Sequence, residues 1–534
     1  MWFGGIGTYI KASSEQNYQV GDKANDALRI DANELNTKVI GEGANLGVTQ
    51  AARIEYARNG GRVNADFVDN SAGVDSSDHE VNIKILLNPM MREGSMKLKD
   101  RNTLLESMTD TVADHVLEHN YDQTLAITIA KEHAVEDLDA HERLMERLEQ
   151  AGRLDRKVEG LPAPDQIREL KDQGQGLTRP EIAVLISYAK IALFDALVES
   201  DVPDDAHFNR SLVTYFPDKL EKFSDAMQGH RLKREIIATR LANDMVNLGG
   251  PTFVNRAIES TSADIAAIAR AFEAGRCIFR FKDYSDRINA LDNKAPAEVQ
   301  IALHDEVIRL LRRQTYWLSR RTLGQEALPI ADVIAAYQPG VDALKPLVTE
   351  IASPFDCEAL DARFQTYVEA GAPEDIARDV ARLRPLTSSS DVIDLGKTVD
   401  WPLAAAGRLY HAVGARFMFD QLRAAGNQLS SNLHWDRLAM RRLIEDLYGS
   451  QQAICEGMMA YAKAERPDLV KDLSKPDADW AENVVGAWTE SQKLMVARAD
   501  RALEEISATG GWTLSKVAIC STQLRELAAT VDKG

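Results

Sequence analysis

A change of pattern near residue 97 limits this chain more than any other feature of its sequence. Before it, glycines punctuate at short intervals: GGIG at 4–7, GEGANLG at 41–47, and Gly60 with Gly61. Short apolar runs alternate there with helical patterns, as α/β units require. Lys38, Val39 and Ile40 read as a strand. The following TQAARIEYARNGG reads as a helix with Thr49 as N-cap and Gly60 near the C-cap. RVNADFV reads as a second strand, DNSAGVDSS as a loop and DHEVNIKILLNPM as a second helix. The expectation for 1–97 is half of a doubly wound α/β sheet.

From residue 98 onward the periodicity is helical almost throughout. Ile182, Leu185, Ile186, Ala189, Leu193 and Leu197 share one helix face, started by the capping pattern Thr178-Arg179-Pro180-Glu181. Leu303, Val307, Leu310, Leu311 and Leu318 form a second stripe, and Ile265, Ile268, Ala269 and Phe272 a third. Breaks are expected at 160–166, 172–180 and 384–396, where proline, glycine and serine gather. A chain of 534 residues exceeds what one core serves. Residues 1–97 and 98–534 are the expected domains, the second an all-α region divisible into two packed bundles.

Charge narrows the partners. Lys and Arg number 63 against 82 Asp and Glu, a formal charge of −19. Such a surface repels phosphate backbones and anionic lipid, so neither nucleic acid nor membrane is expected. The most apolar stretch, EIAVLISYAKIALFDALV, carries Glu181, Lys190 and Asp195, which are costly in hydrocarbon. Cys277, Cys357, Cys455 and Cys520 are widely spaced and form no CxxC pair, as expected of free thiols in a cytoplasmic protein. The opening MWFGGIGTYIKAS lacks the basic start and apolar run of a signal peptide. It reads like the end of a buried strand entering a turn, which makes a fragment the expectation.

Two glycine-bearing turns are the candidate sites. In GEGANLG, Gly41, Gly43 and Gly47 follow a strand and precede a helix, a place where backbone N–H groups approach a phosphate or ribose. The spacing is GxGxxxG, a stretched dinucleotide fingerprint, with Asp66 or Asp69 as the ribose acid; a ligand-free βα turn fits the spacing slightly better. In the second turn, Ser77 precedes Glu80 by three, a capping-box spacing. A helix start with hydroxyls and amides also seats a carboxylate. Both roles stay open.

Other polar groups have plainer readings. His79 reads as a first-turn residue in polar surroundings, and Asp75 and Asp78 as complements to the helix N-terminus. His115 and His119 have the i,i+4 spacing that metal sites use, but lack an evident third ligand, and no metal is assigned. The basic run HRLKREIIATR reads as a solvated helix face, and Trp317 with Arg320 and Arg321 as bundle packing.

Longer motifs resemble one family. WFGGIGTYIKA, GEGANLGVTQAARIE and DFVDNSAGVDSSDHEVNIKILL are similar to segments of the large-subunit bacterial NAD-specific glutamate dehydrogenases. LTRPEIAVLISYAKI, YFP at 215–217 and HRLKREIIATRLAND resemble the helical region that follows their catalytic domain. The resemblance implies a Rossmann-like dinucleotide-binding remnant followed by a large all-α C-terminal region. It implies NAD as cofactor and L-glutamate and 2-oxoglutarate as substrate and product. Gly4, Gly5 and Gly7 would lie beside the nicotinamide ribose, Gly43 and Asn45 against the cofactor, Asn70 near the nicotinamide carboxamide, and Ser77 on the glutamate side-chain carboxylate. NSAGV stands here where smaller relatives carry NAGGV.

The same resemblance places the catalytic lysine, the proton-shuttling carboxylate and the main phosphate-binding loop upstream of residue 1. The expected partners are therefore the rest of the catalytic domain and further copies of the chain, and the isolated chain is expected to be inactive. The alternative is a non-catalytic helical module for assembly or regulation.

Overall fold

The computed structural model describes residues 1–321, 328–429, 434–473 and 476–529. They divide into two compact units, Met1–Arg270 and Ala271–Gly534.

In the first unit, β1 (Trp2–Phe3) pairs with β4 (Gly41–Glu42) and β2 (Ile10–Lys11) with β3 (Ile30–Asp31). Both pairs are parallel, as are the single bridges Ile10–Val48 and Val39–Arg62. The described residues thus hold short parallel pairings in place of a continuous sheet. Ile10, Ile40, Val48, Ala52, Tyr56 and Val63 pack as their common core. Helix α1 (Gln50–Arg58) starts as expected, the Thr49 hydroxyl accepting from Ala52 N–H at 3.1 Å. Gly60 follows with φ +89°.

The next segment departs from the strand reading. In RVNADFV only Arg62 joins a bridge, and α2 (Asp66–Asp69) is a helical turn. Strand alternation would put residues 66 and 69 on opposite faces, whereas one helical turn brings both carboxylates to the same backbone. Helix α3 (Ser71–Arg92) then begins seven residues earlier than the sequence suggests. Small polar residues at 71–77 favour a loop locally, but tertiary contact overrides them. Asn120 of α4 (Thr109–Glu132) donates to Val68 O at 2.7 Å and to Ser71 Oγ at 2.9 Å, fixing that start.

Beyond α5 (Leu138–Gln150), α6 (Arg179–Glu199) is central, packing on α1, α4 and α7 (Lys233–Gly249). Its six expected stripe residues are buried, and so are Ala183 and Val184, as suits a helix covered on several sides. The capping box forms: Glu181 Oε2 accepts from Thr178 N–H at 2.6 Å and from its hydroxyl at 2.5 Å. The basic run is not merely solvated. Arg234 donates to the Val198 and Ser200 carbonyls at the end of α6, at 2.9 and 2.6 Å, complementing the negative end of that helix.

In the second unit, α8 (Ala297–Arg321) carries its expected apolar stripe inward. The expected break at 384–396 is helical instead, a 3-10 turn running into α9 (Ser389–Val399). Its serines are satisfied internally. Ser389 Oγ donates to Leu386 O at 2.7 Å and Ser390 Oγ to Gln314 Oε1 at 2.7 Å, so the hydroxyls do not compete with the helix. The long α12 (His434–Glu465) packs on α9, α10 (Leu403–Arg416), α11 (Phe419–Gln428) and α13 (Leu514–Ala529). Trp317 packs as expected, its indole N–H donating to Asp391 at 2.7 Å with the Arg321 guanidinium 4.8 Å from the ring. Among the described residues no helix is long and apolar enough to cross a membrane.

Burial dictates one pH dependence. His141 on α5 is buried, and desolvation, against the pull of Asp137 and with a contribution from Arg256, lowers its pKa from 6.5 to about 4. Between those values the unfolded chain binds the proton and the folded chain does not, so stability falls as pH drops through that window. The contribution is up to about 3 kcal/mol. Urea titrations at pH 7 and pH 4.5 should show His141→Gln with a flatter pH dependence than the parent; parallel curves would remove His141 from the account.

Candidate functional site

The turn at 43–47 is held from beneath by three acids and one arginine. Glu42, 0% exposed, accepts from Arg53 Nε and Nη2 at 2.7 and 2.9 Å and from Val48 N–H at 3.2 Å. Arg53 also lies 3.3 Å from Asp66, which accepts from the Leu46 N–H at 2.8 Å and from the Phe67 N–H at 2.9 Å. Asp69 accepts from Glu42 N–H at 3.0 Å and from the Asn64 amide at 2.8 Å. Both candidate ribose acids therefore already have backbone partners within the chain. Burial pushes the Glu42 carboxyl above its usual range, with the Arg53 hydrogen bonds pulling the other way. Leu46 takes a left-handed φ of +63°, a strained conformation for leucine that these bonds hold.

The glycines serve close approach, but of aromatic rings. A Cβ at Gly43 would fall 2.2 Å from the Trp2 indole, one at Gly41 2.7 Å from it, and one at Gly47 3.1 Å from the Phe3 ring. The side chains of β1 thus lie across the GEGANLG backbone, leaving Trp2 67% exposed. Gly7, at φ +118°, has the Asn25 amide and the Tyr9 hydroxyl 2.7 and 2.8 Å from where a Cβ would sit. Gly4 and Gly5 are exposed in the turn after β1.

Two candidates from different turns meet. Asn70 Nδ2 donates to Asn45 Oδ1, joining the EGAN turn to the residue that caps α3. Ser77 lies two turns along α3, about 10 Å further on. It is exposed, its hydroxyl donating to Gly73 O at 3.1 Å, and Glu80 pairs with Lys84, so no capping box forms there.

His79 of the same helix meets His115 and His119 of α4 in a cluster of which only the i,i+4 spacing of the latter two was visible in the sequence. Because α3 begins at Ser71, His79 falls in its third turn and shares the inward face of Ile83 and Leu86. It is buried, not in polar first-turn surroundings. Its ring stacks on Tyr215 at 4.7 Å between centroids, with His119 and His115 of α4 at 5.8 and 5.7 Å. Burial, opposed by Asp75, lowers its pKa to about 4, so the ring is neutral. The Asp75 hydrogen bond, 2.8 Å from His119 Nδ1, raises His119. The apolar spacing 79, 83, 86 was the available signal, hidden by the misplaced helix start.

The family model for the catalytic domain of bacterial NAD-glutamate dehydrogenase matches residues 1–130, and that for the glutamate dehydrogenase C-terminal region matches 174–526. The chain is 41% identical to the NAD-specific glutamate dehydrogenase of Pseudomonas aeruginosa over 100% of its own length and 32% of the relative's. For the enzymes of that name from Halomonas elongata and Mycobacterium tuberculosis the identities are 39% and 34%, over 97% and 99% of this chain and 31% and 32% of theirs. The chain belongs to the bacterial NAD-glutamate dehydrogenase family. It spans about a third of the length of the curated relatives it matches.

The catalytic-domain match of this glutamate dehydrogenase family member contains both asparagines, Ser77 and the histidine cluster. It also contains the Glu42–Arg53–Asp66 support. Arg53→Met would leave two buried carboxylates without their counter-charge, a loss of about 3–5 kcal/mol. Adding Glu42→Gln should recover part of it. Urea unfolding of the single and double variants measures both; a single-variant loss under about 1 kcal/mol would mean the pair does not hold the turn.

Proposed function

We propose that residues 1–97 close the Rossmann-like dinucleotide-binding domain of an NAD-dependent glutamate dehydrogenase, and that 98–534 is its helical C-terminal region. The reaction oxidises L-glutamate to 2-oxoglutarate and ammonium. NAD, when bound, accepts the hydride; the residues of this chain bind and orient. The observation that carries the reading is the Asn70–Asn45 hydrogen bond, which couples the two family turns at an accessible edge.

The donor set fits a carboxamide. With one bond between them, the pair keeps the Asn70 carbonyl oxygen as acceptor and the Asn45 amide as donor, complementary to the nicotinamide carboxamide. On this reading the turn of Gly4, Gly5 and Gly7 lies beside the nicotinamide ribose, and Gly43 lies with Asn45 against the cofactor. The Ser77 hydroxyl then serves the glutamate side-chain carboxylate, exchanging its bond to Gly73 for a charge-assisted one. Orientation of two reactants is worth roughly 7–11 kcal/mol only when every group is assembled. The remaining groups, the catalytic lysine among them, belong to the rest of the full-length polypeptide, which acts in the cytoplasm as a homo-oligomer.

The isolated chain is therefore expected to show no glutamate-dependent reduction of NAD, and the full-length enzyme to show it. In the full-length enzyme Ser77→Ala should raise KM for glutamate about tenfold and leave that for NAD unchanged. Asn70→Ala should do the reverse. Equal losses for both ligands from Ser77→Ala would return that residue to a helix-internal role. NAD kinetics untouched by Asn70→Ala would remove the asparagine pair from the site and favour the non-catalytic helical module.

A further inference from the structure

The histidine cluster has the chemistry of a metal centre. Asp75 and His79 stand one turn apart on α3, and His119 faces them from α4; one ligand atom from each lies within 4.8 Å of the other two. The Asp75 carboxylate is 2.8 Å from His119 Nδ1 and 3.9 Å from His79 Nε2. His79 is 0% exposed, yet among the described residues neither of its ring nitrogens has a hydrogen-bond partner. A buried polar atom left unpaired in this way costs about 1–3 kcal/mol, and such an atom calls for a ligand. Stacking on Tyr215 explains the ring's plane but does nothing for its nitrogens.

We propose that Asp75, His79 and His119 bind a divalent transition-metal ion, with zinc the best match, and that the ion pins α3 to α4. Two imidazoles and one carboxylate are a zinc donor set, while magnesium and calcium prefer all-oxygen shells. Around a tetrahedral ion with ligands at about 2.0–2.2 Å, donor atoms sit about 3.4 Å apart. Small side-chain rotations bring the present spacing to that value. The His119 side chain is 49% exposed, which gives an ion a way in from solvent. Binding displaces the proton shared between His119 and Asp75 and gives His79 the partner it lacks. The site does not depend on the cofactor reading of Asn45, Asn70 and Ser77.

The test is calorimetric titration of the chelator-treated 534-residue chain with zinc, repeated with cobalt while following its visible absorption. The expected result is one saturable equivalent that His119→Ala and Asp75→Asn each weaken by at least about tenfold. Bound cobalt should give the intense visible bands of a tetrahedral site, and excess magnesium should not compete. His119 and Asp75 lie at the edge of the cluster, so circular dichroism of these variants should match the parent, whereas His79→Ala also opens a cavity. No saturable uptake, or an equivalent bound as tightly by both variants as by the parent, would overturn the proposal.

Discussion

The buried arrangement of Glu42, Arg53 and Asp66 is the constraint on which the N-terminal turns depend. One guanidinium serves two carboxylates away from bulk water, and each carboxylate also accepts a backbone N–H from the turn above it. Replacing such a cluster with apolar residues often costs nothing overall, so its use here is geometric. It sets the path of residues 43–47, holds Leu46 at positive φ and positions Asn45 where Asn70 meets it. Asp69 adds a fourth anchor through the Glu42 amide. The turn is thereby braced by side chains of the chain itself.

That support also explains the glycine spacing. A GxGxxG fingerprint lets backbone approach a pyrophosphate, whereas in GEGANLG the clearance at Gly41 and Gly43 admits the Trp2 indole and that at Gly47 the Phe3 ring. The sequence carries the steric requirement but not the identity of the intruding group. Spacing alone, GxGxxxG, pointed away from a phosphate cradle for a reason that becomes visible only once β1 lies beside β4.

Legibility followed the range of the interaction. Local devices were readable: Thr49 capping α1, the Thr178–Glu181 box, and stripes such as Leu303, Val307 and Leu310. Features set by distant partners were not. The start of α3 is fixed by Asn120, nearly fifty residues away, and the helical state of 384–396 by bonds such as that from Ser390 to Gln314. Asp66 and Asp69 read as a ligand acid or strand residues because their real partners, Leu46, Arg53 and Glu42, come from another turn and helix. The meeting of Asn45 and Asn70 lies within long family motifs, which compress such non-local information into contiguous letters. The helical stretch carries little of that; its histidines look like ordinary surface residues until α3 and α4 are set side by side.

Helix α3 then ties these observations together. Its cap residue, Asn70, joins the EGAN turn, its second turn carries Ser77 on the exposed side, and its third turn buries His79 against α4. A helix transmits displacement along its axis because its hydrogen bonds resist stretching. Anything that fixes the third turn against α4 therefore also fixes the position of Ser77, about 3 Å away along the same rod, and of Asn70, about 13 Å away. Asn120 secures the first turn from the same neighbouring helix that supplies His115 and His119. The edge formed by Asn45 and Asn70 consequently rests on two foundations, the buried acid–arginine cluster under one turn and the packing of α3 on α4 under the other. A change in either would move one asparagine relative to its partner.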